Sequence, residues 1–147
     1  KLQKIHHAGL NPSKAINRQD PHIENLETLE KRIETIFNFC SSNLSKPAGM
    51  IYFVMYDIEN NKVRTQIAKY LIKKGCMRIQ KSVFLASTDR TVFNEIHTTI
   101  KEVQEFYNNY DSVFFVPVST DQLRSMKIVG QSINYEVVTG NKNTLFF

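Results

Sequence analysis

Cysteine is scarce: Cys40 and Cys76 are the only two in 147 residues. Two thiols do not make a secreted disulfide scaffold, and a chain of this length does not need one, so both are expected as reduced thiols in a cytoplasm. Long hydrophobic runs are missing too. None approaches the roughly 18 residues of a membrane span, and the opening KLQKIHHAGLNPSK lacks the apolar middle of a signal peptide. A soluble, cytoplasmic protein with no membrane partner is expected. There is no glycine-rich phosphate loop, no nucleophile elbow and no cysteine pair at zinc spacing, which leaves covalent catalysis and nucleotide hydrolysis without support. The histidines, His6, His7, His22 and His97, are scattered and show no metal-ligand spacing. The last absence is local: from Lys62 to Lys81 there is no acid at all.

What is present supports one compact core. Hydrophobic residues make up 41% of the chain, and the formal net charge is +5, a balance that favours an anionic partner. Residues 1–21 are polar and read as an arm. From Ile23, the residues Leu26, Leu29, Ile33, Ile36, Phe37 and Cys40 recur at helical spacing opposite Glu24, Glu27, Glu30 and Glu34, predicting a helix started by Asp20 or Pro21 and broken by a linker over 41–49. Residues 50–56 form an apolar run suited to a buried strand, with Asp57 at its carboxyl end. Asn60 or Asn61 is placed to cap a helix with Val63, Ile67, Tyr70 and Leu71 on its apolar face and Gly75 as its stop. Residues 77–85 read as one long strand or two short ones broken around Lys81. A second helix is expected over 89–107, with Val92, Ile96, Ile100, Val103 and Phe106 on one stripe, then a strand over 112–118 and a polar turn over 120–125. If the middle strand is a pair, the order is that of an α+β, ferredoxin-like βαββαβ fold. Extended pieces at 133–138 and 144–147 predict an extra C-terminal strand added to the chain's own sheet or to a neighbour's. The division is an N-terminal helical extension with linker, 1–49, and a ferredoxin-like domain, 50–147.

Asp57 stands where open sheets hold ligands, at a strand's carboxyl end. It is either a metal-binding acid or the cap of the following turn. Magnesium needs further oxygens, and a two-fold dimer would supply a second Asp57. The acid-free stretch holds Lys62, Arg64, Lys69, Lys73, Lys74, Arg78 and Lys81; solvated helices usually interleave signs, so this run points to phosphate contact.

The segment FVMYDI, Arg64 seven residues after the aspartate, GCMRIQKSVF and DSVFFVPV together resemble the CRISPR-associated Cas-two family over residues 50–147. The resemblance implies a ferredoxin-like homodimer whose C-terminal strand packs on the partner's sheet. It also implies a scaffold role in spacer acquisition: bridging dimers of the Cas-one integrase and holding protospacer double-stranded DNA. Some family members are described as magnesium-dependent endonucleases cleaving RNA or DNA, and a toxin-like ribonuclease of the same fold is a third reading. Residue by residue, the resemblance makes Asp57 the catalytic and metal-binding acid, with Tyr56, Arg64, Arg78 and Phe84 near the site. Gln66 departs from the pattern, since some nuclease-active members carry a second arginine there. The segment 1–49 also departs, because members commonly begin where Met50 stands.

Overall fold

The computed structural model describes residues 26–43 and 49–130. Its elements are α1 (Leu29–Asn43), β1 (Met50–Asp57), α2 (Asn61–Lys73), β2 (Met77–Gln80), β3 (Val83–Thr88), α3 (Arg90–Glu105), β4 (Ser112–Pro117) and a short α4 (Thr120–Arg124). The four strands form one sheet in the order β2-β3-β1-β4, every neighbouring pair antiparallel. This is the expected α+β βαββαβ core, preceded by a helix. The arm 1–21 and the proposed C-terminal strand at 133–138 and 144–147 lie outside the described residues. Among the described residues, no helix is long and apolar enough to cross a membrane.

The middle strand is a pair. Lys81 and Ser82 turn the hairpin, and β2 carries one extra residue, Ile79, between the pairs Arg78 with Phe84 and Gln80 with Val83. Such a bulge bends and twists an edge strand. Helix α2 starts on Asn60, whose side-chain oxygen accepts from the amides of Lys62 and Val63 at 3.0 Å each. It stops at Gly75, where φ is 86°, a conformation that costs glycine little.

Alternation along β1 sorts its side chains between two cores. Tyr52, Val54 and Tyr56 pack under α2 and α3 with Ile67, Leu71, Phe84, Ile96 and Ile100. Ile51 and Phe53 pack on the opposite face with Ile33, Ile36, Phe37 and Cys40 of α1 and with Leu85 and Leu123. The sheet is therefore covered on both sides.

Three expectations need correction. Helix α1 begins at Leu29, after non-helical residues 26–28, not at Asp20 or Pro21; Thr28 Oγ1 accepts from the amide of Lys31 at 3.3 Å and starts the first turn. Residues 120–125 are not a plain turn: Ser119 and Gln122 form a reciprocal capping box, and α4 buries Leu123 in the α1 core. Phe106 is 38% exposed: as the C-cap of α3 it keeps helical backbone angles, and at about 100° per residue it falls at the rim of the stripe rather than within it.

Candidate nucleic-acid interface

The loop from β1 to α2 is fixed from two sides. Asp111, just before β4, accepts from the Glu59 amide at 3.1 Å and from the Tyr107 hydroxyl at 2.6 Å, so both its carboxylate oxygens are committed. Arg64, one turn into α2, donates back to the Ile58 carbonyl at 2.8 Å and to the Asn61 side chain. Braced in this way, α2 presents Lys62, Lys69 and Lys73 along one line. Spacings of seven and four keep the three within about 40° of each other around the axis, over about 16 Å of helix. Lys62 and Lys69 are exposed and Lys73 is half-buried. The stripe spans about five nucleotide steps of one strand at 3.4 Å each.

At the hairpin end of the sheet lie Arg78, Lys81, Phe84 and Tyr56. The Tyr56 and Phe84 rings stack at 6.2 Å, and the Arg78 guanidinium sits over Phe84 at 5.8 Å. Arg78 Nε and Nη2 donate to the Lys81 carbonyl at 3.2 and 2.7 Å. Burial pushes the Tyr56 phenol above its ordinary range, and the charges of Arg78 and Arg64 oppose that rise. Tyr56 Oη and Arg78 Nη1 are buried without a hydrogen-bond partner among the described residues. Tyr56, Phe84 and Arg78 thus form one cluster, in which the two rings are buried and Arg78 is half-buried, and Lys81 stays exposed beside it.

Two placements differ from the picture drawn from sequence. Lys74 does not join the basic surface: it is 3% exposed, ion-paired with Glu95 of α3 and set 5.9 Å from the centre of the Tyr70 ring. The acid missing from its own stretch comes from another helix. Asp57 is exposed at the end of β1, paired in register with Ser112, but strand alternation turns it to the α1 side, away from Tyr56 and from α2. The lone carboxylate and the lysine stripe therefore do not share a pocket. No group of three His, Cys, Asp or Glu side chains fit to hold a metal occurs among the described residues. Among the described residues of a single copy, Asp57 alone offers magnesium one carboxylate, and the remaining oxygens would have to come from water, nucleic acid or a second copy.

Sequence reasoning missed Asp111, Glu95 and Arg32. Arg32 carried a signal, because it lies among Leu29, Ile33 and Ile36 on the apolar stripe of α1, where a charge is out of place.

Fold and surface define a ferredoxin-like α+β protein with one cationic helical face. Residues 50–126 match the family described as CRISPR associated protein Cas2, and the chain belongs to that family. Helix α1 lies outside the matched stretch. A CRISPR-associated endoribonuclease Cas2 of Aeropyrum pernix is 27% identical over 85 residues, covering 57% of this chain and 90% of that protein. A Synechocystis protein named CRISPR-associated endoribonuclease Cas2 3 is 30% identical over 81 residues, covering 55% of this chain and 85% of its own length.

Proposed function

We propose that this protein is a DNA-binding scaffold of CRISPR adaptation, acting as a two-copy unit that holds protospacer duplex for the Cas-one integrase. The observation that carries the reading is the stripe of Lys62, Lys69 and Lys73 on the outer face of α2, with no acid in that helix. Ammonium groups on long stems neutralise backbone phosphates without reading bases, which suits a protein that must hold many different sequences. Lys81, and the faces of Arg64 and Arg78 left open by their braces, extend the surface to the hairpin. Residues 50–147 are the unit that handles nucleic acid, and 1–49 an appendage to it.

The experiment is a duplex-binding titration at several salt concentrations. Replacing Lys62, Lys69 and Lys73 together by alanine is expected to flatten the dependence of log K on log salt by about 2.7, or about 0.9 for each phosphate no longer neutralised. Unchanged slope and affinity would remove the basis of the reading.

A second reading is a magnesium-dependent endonuclease acting on RNA or DNA through Asp57. It is favoured by the exposure of Asp57 at its strand end and by the endoribonuclease names of both relatives. In this reading the remaining metal ligands come from the nucleic acid and from a second copy. Asp57→Ala separates the two: the scaffold keeps its duplex affinity, and the endonuclease loses magnesium-dependent cleavage.

A further inference from the structure

Helix α3 repeats the spacing that made the basic face of α2. Arg90, His97 and Lys101 stand seven and four residues apart, as Lys62, Lys69 and Lys73 do. They fall within about 40° of each other around the axis, over about 16 Å of helix, and all three are exposed. The ion pairs among the described residues are Lys31 with Glu34 and Lys74 with Glu95, so neither Arg90 nor Lys101 has an acid in contact. Of the nearby acids, Asp89 is engaged in capping the Val92 amide at 2.8 Å, and Glu95 holds Lys74. Glu105 stands one turn beyond Lys101 and bounds the stripe at that end.

The middle position differs from that of α2: in place of a lysine, α3 carries an imidazole set on other rings. His97 stacks on Phe93, one turn earlier, with ring centres 6.2 Å apart and planes 17° apart, and it meets Phe115 of β4 at 5.3 Å. Phe93 and Phe115 touch edge to face at 5.8 Å. Beneath them Tyr52, fully buried, meets Phe93 at 4.9 Å and is fixed by a hydrogen bond with Thr88 Oγ1 at 3.0 Å. The rings thus pass from a buried tyrosine through two half-buried phenyls to an exposed imidazole. Because β4 is an edge strand, no further strand among the described residues lies beyond Phe115.

An anchored aromatic platform flanked by cations suits unpaired nucleotides, since rings stack on a base of any sequence while cations meet the phosphates on either side. A duplex keeps its base faces stacked on each other, and an acidic peptide would engage the cations and leave the rings idle. We infer that Phe93, His97 and Phe115 form a stacking site for an unpaired base of single-stranded nucleic acid, with Arg90 and Lys101 on the flanking phosphates. The site stands on a different helix from the lysine stripe and takes a different form of nucleic acid, so it goes beyond the scaffold reading.

The test is a titration of the full chain with a single strand carrying one fluorescent purine analogue, whose emission is quenched when its ring stacks. Unlabelled competitors of equal length, made of deoxythymidine, of uridine and of abasic sugar, then separate the contributions of base, sugar type and phosphate. Quenching is expected, and both base-bearing strands should compete about tenfold better than the abasic one. His97→Ala, and Phe93→Leu, which keeps apolar bulk without a stacking ring, are each expected to relieve the quenching and weaken affinity about tenfold, whereas His97→Phe keeps the quenching. The inference is overturned if the abasic strand competes as well as the deoxythymidine strand, or if His97→Ala and Phe93→Leu both leave quenching and affinity where they were. Duplex binding on the same samples distinguishes the two readings: a chain that quenches the probe and ignores duplex keeps the stacking site and sinks the scaffold, and one that binds duplex with the probe unquenched does the reverse.

Discussion

At the scale of single residues, the contrast between Lys74 and Lys69 shows how little a basic residue's place in the sequence says about its role. Both lie in the acid-free stretch, five residues apart. Lys69 faces solvent, while Lys74 is withdrawn from water and depends on Glu95. An ammonium buried without its partner is strongly destabilising. Glu95→Ala is therefore expected to lower stability by about 3 kcal/mol in urea unfolding, and Lys74→Met, which removes the charge along with its need for a partner, to cost less. Duplex affinity should fall in Lys69→Ala and hold in Lys74→Met; the reverse ranking would return Lys74 to the binding surface.

At the scale of elements, α2 is the part whose placement matters most, because its outer face carries the lysines. Its first turn hangs on Asn60, and Arg64 ties the same turn to the β1 exit. Asn60→Ala leaves two helix amides without that acceptor and is expected to cost about 1 kcal/mol of stability, seen as a lower thermal midpoint. Asn60→Asp restores the cap and sets a carboxylate beside Lys62, so the midpoint recovers while duplex affinity declines. An alanine variant as stable as the parent would mean that Asn60 is not the group holding the turn.

At the scale of the whole molecule, burial holds several acidic protons in place. It pushes the Cys76 thiol from 9.0 up to about 12 and raises Tyr52 and Tyr56 as well; for Tyr107, burial is joined by the Asp111 carboxylate. These groups are neutral when protonated, and in the unfolded chain they release their protons first. Above about pH 9 the unfolded state thus binds fewer protons than the folded one, and stability falls as pH rises through the folded values. The slope is about 1.4 kcal/mol per pH unit for each group in its window. Urea midpoints should decline steadily from pH 9 to 11, and a constant midpoint over that range would show that these groups are not held neutral by the fold.

Much of the architecture was legible because periodicity is a local property. The apolar run before Asp57, the stripe of Val63, Ile67, Tyr70 and Leu71 and the stop at Gly75 each specify an element from neighbouring residues alone. The lysine stripe followed directly, since helical geometry converts spacings of seven and four into a common face. The withdrawal of Lys74, the separation of Asp57 from the basic face, the brace of Asp111 on Glu59 and the hydrogen bonds that Arg32 of α1 donates to the Ile79 carbonyl and the Gln80 side chain of β2 were decided only in three dimensions. Each depends on a partner far along the chain or on which side of the sheet a helix lies. The sequence by itself determined which residues are apolar, charged or able to cap, because those are properties of a residue and its near neighbours. Only the tertiary structure decided which charges meet, and that α1 closes the second face of the sheet, because burial and pairing exist only once distant segments pack.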